Sequence, residues 1–299
     1  MVRMRQAEEA FSSAYLKKGL TPRTIQRFRD LVYGHYKEHR RALPWRRTRD
    51  PFRILVSEVM LQQTQADRVI GKYRDFTERF PDIRTLAEAP LAEVLMAWQG
   101  LGYNRRALSL HALAQTLRHT SRGRVPDNSD KLQALPGIGR YTAAAVLAFA
   151  WNRPVVFIET NIRTVFIHFF FHDKPGVSDR EILPLVAETL DTSDPRAWYN
   201  ALMDYGVMLK KEFKNPARRS AHYQRQSPFK GSDRQIRGLI LRLILEKGGM
   251  TMQRLLKQLG PDVTRSQAII RQLVAEGFLK HKTGKLSVPK AAPGRSPAG

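Results

Sequence analysis

Apolar residues recur along this chain at three- and four-residue spacing, the pattern of helices that each bury one face. After Thr21-Pro22, which reads as a threonine cap with proline at the first helical position, Phe28, Leu31, Val32, Tyr33 and Tyr36 fall on one side of a helix. Ala42-Leu43-Pro44-Trp45-Arg46 breaks it. Ile54, Leu55, Val56, Val59, Met60 and Leu61 then read as a buried helix, and Val69, Ile70, Tyr73, Phe76 and Phe80 as the face of the next. Further helices are predicted over 83–89, 91–99, 105–117, 129–135, 141–150, 180–190 and 197–209. Residues before Pro22 mix charge with alanine and predict only a loose helix. Val155-Val156-Phe157-Ile158 is β-branched but short and isolated, so it reads as a buried lead into a helix capped by Thr160 or Asn161, not as a strand. The expected fold class is all-α.

The pattern changes after Leu209. Residues 210–236 are polar and basic with almost no apolar period. Amphipathic segments follow at 237–246, 251–259 and 264–276, the last capped by Thr264, and Phe278 to Val288 reads as a basic hairpin turning at Thr283-Gly284-Lys285. Three helices and a hairpin predict a small winged helix-turn-helix whose third helix carries Arg265, Gln267 and Arg271. A compact helical interaction domain without DNA contact fits the same pattern. The expected division is an N-terminal extension (1–21), a helical domain (22–209), a basic linker (210–236), a winged-helix-like domain (237–290) and a disordered tail (291–299).

Between the helices predicted at 129–135 and 141–150 stands Leu135-Pro136-Gly137-Ile138-Gly139-Arg140-Tyr141-Thr142. Pro136 starts a tight turn, and Gly137 and Gly139 are free to take positive φ, so the stretch reads as a hairpin between two helices. The amides at the start of the second helix then suit a phosphate oxygen, although an ordinary helix-helix turn has the same sequence pattern.

Charge favours the phosphate reading. The 299 residues carry 51 Lys+Arg against 27 Asp+Glu, a formal charge of +24, which attracts a polyanion in a salt-dependent way. Nucleic acid is the first candidate; no long apolar span or apolar leader suggests a membrane partner. The chain has no cysteine, so disulfides, thiolate zinc sites and cysteine-held iron-sulfur clusters are excluded. His168, His172 and His222 lack a carboxylate at ligand spacing, and no metal or other cofactor is expected. A monomer in the cytoplasm, associated with the nucleoid, is the expected state.

Leu43-Pro44-Trp45-Arg46, Ser57-Glu58-Val59-Met60-Leu61-Gln62-Gln63-Thr64-Gln65, Trp98-Gln99-Gly100-Leu101-Gly102-Tyr103, the hairpin, and Ala201-Leu202-Met203-Asp204-Tyr205-Gly206 occur in that order. Together they resemble the MutY-type adenine DNA glycosylases of the helix-hairpin-helix (HhH-GPD) superfamily, in a variant without the iron-sulfur cluster. The resemblance implies a two-lobed helical glycosylase that flips a base out of double-stranded DNA and cleaves its N-glycosidic bond. It implies that Gln63 and Tyr103 enter or abut the base stack. The expected DNA contacts are Arg46, Gln62, Gln63, Thr64, Tyr103, Arg105, Arg106, Gly137, Gly139, Arg140, Thr142, Arg218 and Arg219.

Glu58 is a lone acid in an apolar helical run. Burial keeps such a carboxyl protonated, and the resemblance assigns it proton donation to the departing base. A carboxylate near the sugar lowers the barrier to the cation that forms there. The family uses aspartate followed by glycine and asparagine; this chain has Glu159-Thr160-Asn161, one methylene longer. Asn161 is expected to orient Glu159 or the sugar phosphate. Tyr141 stands where lyase-competent relatives carry a Schiff-base lysine, so base removal without strand cleavage is expected. The family's four cluster cysteines and its domain for inspecting 8-oxoguanine have no counterpart. The expected function is a monofunctional DNA glycosylase of base excision repair, with adenine favoured. Uracil, thymine or hypoxanthine release is the alternative substrate choice, and a non-catalytic DNA-binding protein on the same scaffold the alternative class.

Overall fold

The computed structural model describes residues 2–213, 215–225 and 228–292, so most of the predicted tail lies outside the described residues. In chain order the helices are α1 (Val2–Lys18), α2 (Pro22–His39), α3 (Pro51–Leu61), α4 (Ala66–Arg79), α5 (Ile83–Glu88), α6 (Leu91–Trp98), α7 (Arg105–Ser121), α8 (Ser129–Gln133), α9 (Arg140–Trp151), α10 (Thr160–Phe170), α11 (Asp179–Thr189), α12 (Pro195–Glu212) and α13 (Asp233–Lys247). Then come β1 (Met250–Thr251), α14 (Met252–Leu259), α15 (Val263–Ala275), β2 (Lys280–Lys282) and β3 (Lys285–Ser287). The all-α class holds, and 152–159 belongs to no helix or strand. No helix among the described residues is long and apolar enough to cross a membrane. The chain forms two compact units, Met1–Arg49 with Arg140–Arg225, and Asp50–Gly139 with Gln226–Gly299.

The first unit is built on aromatic packing. Phe28 of α2 meets Phe166, Phe169 and Phe170 of α10 and Trp198 of α12, edge-on at 5.1–5.7 Å between ring centroids. The predicted loose N-terminal helix is instead anchored: Phe11 is 1% exposed and packs on Phe28, Phe169 and Phe170. Tyr15 adds an edge-on contact with Phe170 at 5.0 Å, so two aromatics among charges anchor the helix on an aromatic surface. Thr21 caps α2, as its sequence predicts, and the structure adds a reciprocal box with Thr24.

Asp204 of α12 is the polar centre of this unit. Its carboxylate accepts two hydrogen bonds from Arg46 (2.7 and 2.9 Å), and one each from the Arg41 side chain (2.5 Å) and backbone (3.0 Å). Burial alone would raise its pKa, but the hydrogen bonds and charge of Arg46 and Arg41 outweigh burial and hold it below the usual range. Its stabilising contribution is therefore complete above the ordinary aspartate range and lost as pH falls through the depressed value. Asp204→Asn strands the Arg46 guanidinium, 10% exposed, and is expected to cost about 3–5 kcal/mol in urea unfolding.

In the second unit α3 is capped by Asp50, which accepts from the amides of Phe52 and Arg53, with Pro51 at its start. The C-terminal helices α13, α14 and α15 carry a small antiparallel sheet of order β1-β3-β2, in which Leu286 pairs with both Met250 and His281. The hairpin is as predicted; β1, two residues long, has no sequence signal. Asp262, not Thr264, caps α15, accepting from the Arg265 amide. The Arg265 guanidinium bonds Asp233 (2.6 and 2.8 Å) and the Gly231 carbonyl (2.8 Å). Residues 290 and 292 are tied to the first half of the unit by Leu91 N–H to Lys290 O (3.0 Å) and Ala292 N–H to His111 Nδ1 (3.4 Å).

Candidate active site and nucleic-acid interface

In the first unit the candidate groups collect at the start of α10. Glu159, not Thr160 or Asn161, caps this helix: its carboxylate accepts from the backbone amides of Asn161 (2.7 Å) and Ile162 (2.9 Å) and from Asn161 Nδ2 (3.2 Å). The carboxylate turns back onto amides that the helix leaves unpaired, as the shorter Asp50 does at α3. A half-buried cation backs this arrangement. Lys210 donates from Nζ to Asn161 Oδ1 at 2.7 Å, so Lys210, Asn161 and Glu159 form a chain from cation to anion. The position follows from Gly206, one turn earlier on α12: a Cβ there would lie 2.4 Å from the Asn161 carbonyl oxygen, so only glycine lets α12 come this close.

Burial pushes the Glu159 carboxyl up; Lys210, the Ile162 and Asn161 amides and Arg163 oppose it without cancelling it. Burial pushes Lys210 down, with Glu159 opposing. Arg163 is also held by Asp179 through two 2.7 Å hydrogen bonds. Tyr141, in the first turn of α9, sets its ring edge-on to Phe157 at 5.7 Å, and Phe157 packs on Tyr199 at 4.0 Å.

The second unit holds the other carboxyl. Glu58 is 5% exposed on α3, flanked by the buried Ser57 and Val59. The helix ends at Gln62, and the next residue, Gln63, is exposed with φ of +53°, a conformation that a non-glycine residue keeps only where its surroundings hold it. Arg106 holds it. Its guanidinium donates to the carbonyls of Val59 (3.0 Å), Met60 (2.7 Å) and Gln62 (2.6 Å), to Thr64 Oγ1 (3.0 Å) and to Gly102 O (3.1 Å). One side chain thus ties the end of α3 to the loop 99–104, where Gly100, Gly102 and Tyr103 all have positive φ. Burial lowers the Arg106 pKa to about 10.

At the hairpin Ile138 is buried and Gly137, Gly139 and Arg140 are exposed. Gly137 has φ of +78°, and a Cβ there would meet Ser109 Cβ at 2.6 Å. Gly139 is different: it has no positive φ and open space around its Cβ position, so the turn itself does not require glycine there.

Five of the expected DNA contacts are buried or have acceptors within the protein. Arg46 is committed to Asp204, and Arg106 to backbone carbonyls. Arg219 donates to the carbonyls of Phe171 (3.4 Å) and Ile167 (3.2 Å), closing the end of α10. Thr142 is 3% exposed. Thr64 accepts from Arg106 and donates to the Gln62 carbonyl (3.2 Å). Gln62, Gln63, Tyr103, Arg105 and Gly137 line one open cleft, while Arg140 and Arg218 are exposed elsewhere. Lys210, read from sequence as part of a basic loop, lies instead on α12, where it bonds Asn161.

A family model described as HhH-GPD superfamily base excision DNA repair protein matches residues 56–188. The adenine DNA glycosylase of Mycolicibacterium smegmatis is 37% identical over 224 residues, covering 69% of this chain and 76% of that protein. The chain belongs to the HhH-GPD superfamily. Adenine DNA glycosylases of Buchnera aphidicola (32% over 190 residues, 62% of this chain and 53% of that protein) and Mycobacterium tuberculosis (45% over 131 residues, 44% and 43%) are also similar. The chain spans about half the length of these two relatives. Among solved structures, a thermostable thymine-DNA glycosylase matches with TM-score 0.57 and 26% identity, covering 64% of this chain and 90% of that one. An endonuclease III–DNA covalent intermediate matches at TM-score 0.50 and 22% identity over 70% and 91%, a likeness of fold.

Proposed function

We propose that this HhH-GPD chain is a monofunctional DNA glycosylase that hydrolyses the N-glycosidic bond of adenine in a mispair. The observation that carries the reading is Glu58, a carboxyl 5% exposed on the apolar helix that ends at Gln62. Burying a carboxyl raises its pKa toward the range of a general acid, which makes this position a candidate proton donor. In the proposed reaction the bond between C1′ and the purine nitrogen breaks, its electron pair leaves with the base, and Glu58 supplies the proton that neutralises it. Glu159 carries the negative charge that stabilises the sugar cation, and water adds at C1′ with loss of a proton. Adenine is favoured because the similar proteins from three genera carry that name. Likeness to a thymine-DNA glycosylase supports thymine or uracil opposite guanine as the second reading.

Incubating the full chain with duplexes carrying adenine, uracil, thymine or hypoxanthine opposite guanine or 8-oxoguanine, followed by alkali, tests both. Strand breaks on adenine duplexes that depend on alkali are expected; no break on any duplex overturns the enzymatic reading. Tyr141 supports the absence of lyase chemistry, since a phenol forms no Schiff base. Tyr141→Lys is expected to gain a covalent DNA adduct trapped by borohydride, absent in the wild type.

The elements of residues 233–287 support a winged-helix reading of the C-terminal segment, but the Arg265 guanidinium is engaged by Asp233 and Gly231. DNA contact by α15 would then fall to Gln267 and Arg271.

A further inference from the structure

The cleft that holds Gln63, Tyr103 and Gly137 has a second wall. Its volume is 1420 Å³, and α13 lines its other side with Arg234, Arg237 and Arg242, while α4 adds Arg68 and Lys72. Glu276, the one acid among its lining residues, is held by Arg105 at 3.1 Å and Arg237 at 2.5 Å, which leaves the cleft strongly positive. Arg234 reaches across it. Its Nη1 donates to the Tyr103 hydroxyl at 3.0 Å and its Cζ stands 5.7 Å from the ring centroid. A planar cation on a tyrosine ring fills the kind of place that a stacked nucleobase takes.

We propose that α13 is a wall of the DNA groove: the strand met by Gln63 and Tyr103 continues along α13, and Arg234 and Arg242 take its phosphates. Arg234 leaves the Tyr103 ring as a base replaces it, exchanging a phenol for a phosphate. The inference rests on the reading above only in naming DNA as the polyanion. Nothing in the residue pattern of 210–236 or 237–246 shows it, because it depends on a contact between residues 131 positions apart.

The test is equilibrium binding of the full chain to a short duplex across a salt series. Arg234→Glu with Arg242→Glu is expected to weaken binding about tenfold or more at 0.1 M salt and to reduce the slope of log K against log salt by about two, the value for two phosphates. Arg74→Glu with Arg84→Glu makes the same change in net charge on exposed positions outside the cleft, and is expected to leave the slope unchanged. Should the first pair lower the melting temperature, Arg234→Gln with Arg242→Gln gives the same slope change without charge reversal. A slope equal to that of the control pair in both cleft variants overturns the proposal. Excision measured on the same samples separates the two readings. Binding through α13 without base release defeats the glycosylase reading alone, and excision with an unaltered slope defeats this one alone.

Discussion

Glu58→Gln is expected to lower single-turnover base excision by about 10²–10⁴-fold, the range for loss of a general acid, while affinity for the duplex stays within twofold of wild type. The amide keeps the size and polarity of the acid, so α3 and its 5% exposed side chain keep their packing, and the melting temperature should hold. What the amide lacks is a proton to give to the leaving base. The contrast between rate and affinity decides the case. Loss of both together would show that Glu58 maintains the helix end on which Gln63 depends, and retained turnover would remove Glu58 as the acid.

The helical faces were legible because burial imposes a period on sequence that no function has to share. Phe28, Val32, Val69, Tyr73 and Phe76 lie inward as spacing requires, and Glu58 is buried as its apolar neighbours imply. The arginines were not legible. A guanidinium that binds phosphate and one that binds carbonyl oxygen have the same sequence signature, since both need five donors and a permanent charge. Arg46, Arg106 and Arg219 all proved to satisfy protein acceptors. The capping of α10 shows a second limit. Thr160 and Asn161 are good caps by type, yet the acid before them reaches the same amides and brings a full negative charge to the helix start. Lys210 shows a third, because its partner Asn161 lies 49 residues away and only the Gly206 approach unites them. Gly206 and Lys210, four residues apart on one helix, were the available clue.

Glu159→Gln is expected to reduce excision by about 10²–10³-fold, the scale of losing one fixed electrostatic partner of a developing charge. It should also erase the acidic limb of the rate profile that Glu159 causes in the wild type. The sign of that limb follows from the geometry. Stabilising a cation needs the carboxylate, so the rate falls as pH drops through the Glu159 pKa, and burial places that fall above the ordinary glutamate range. Lys210, the amides of Asn161 and Ile162, and Arg163 all favour the ionised form, and Asp179 keeps Arg163 partly neutralised. Lys210→Met removes the cation but not the burial. The acidic limb should therefore move to higher pH, whereas Lys210→Arg, which keeps the charge, should leave it close to the wild-type position. A purely structural role for Lys210 predicts the opposite: lower melting temperature and lower rate at every pH, with the limb unmoved. Single-turnover excision across the acidic range, with melting temperatures for the same three proteins, distinguishes a lysine that tunes the carboxylate from one that only fills the space beside it.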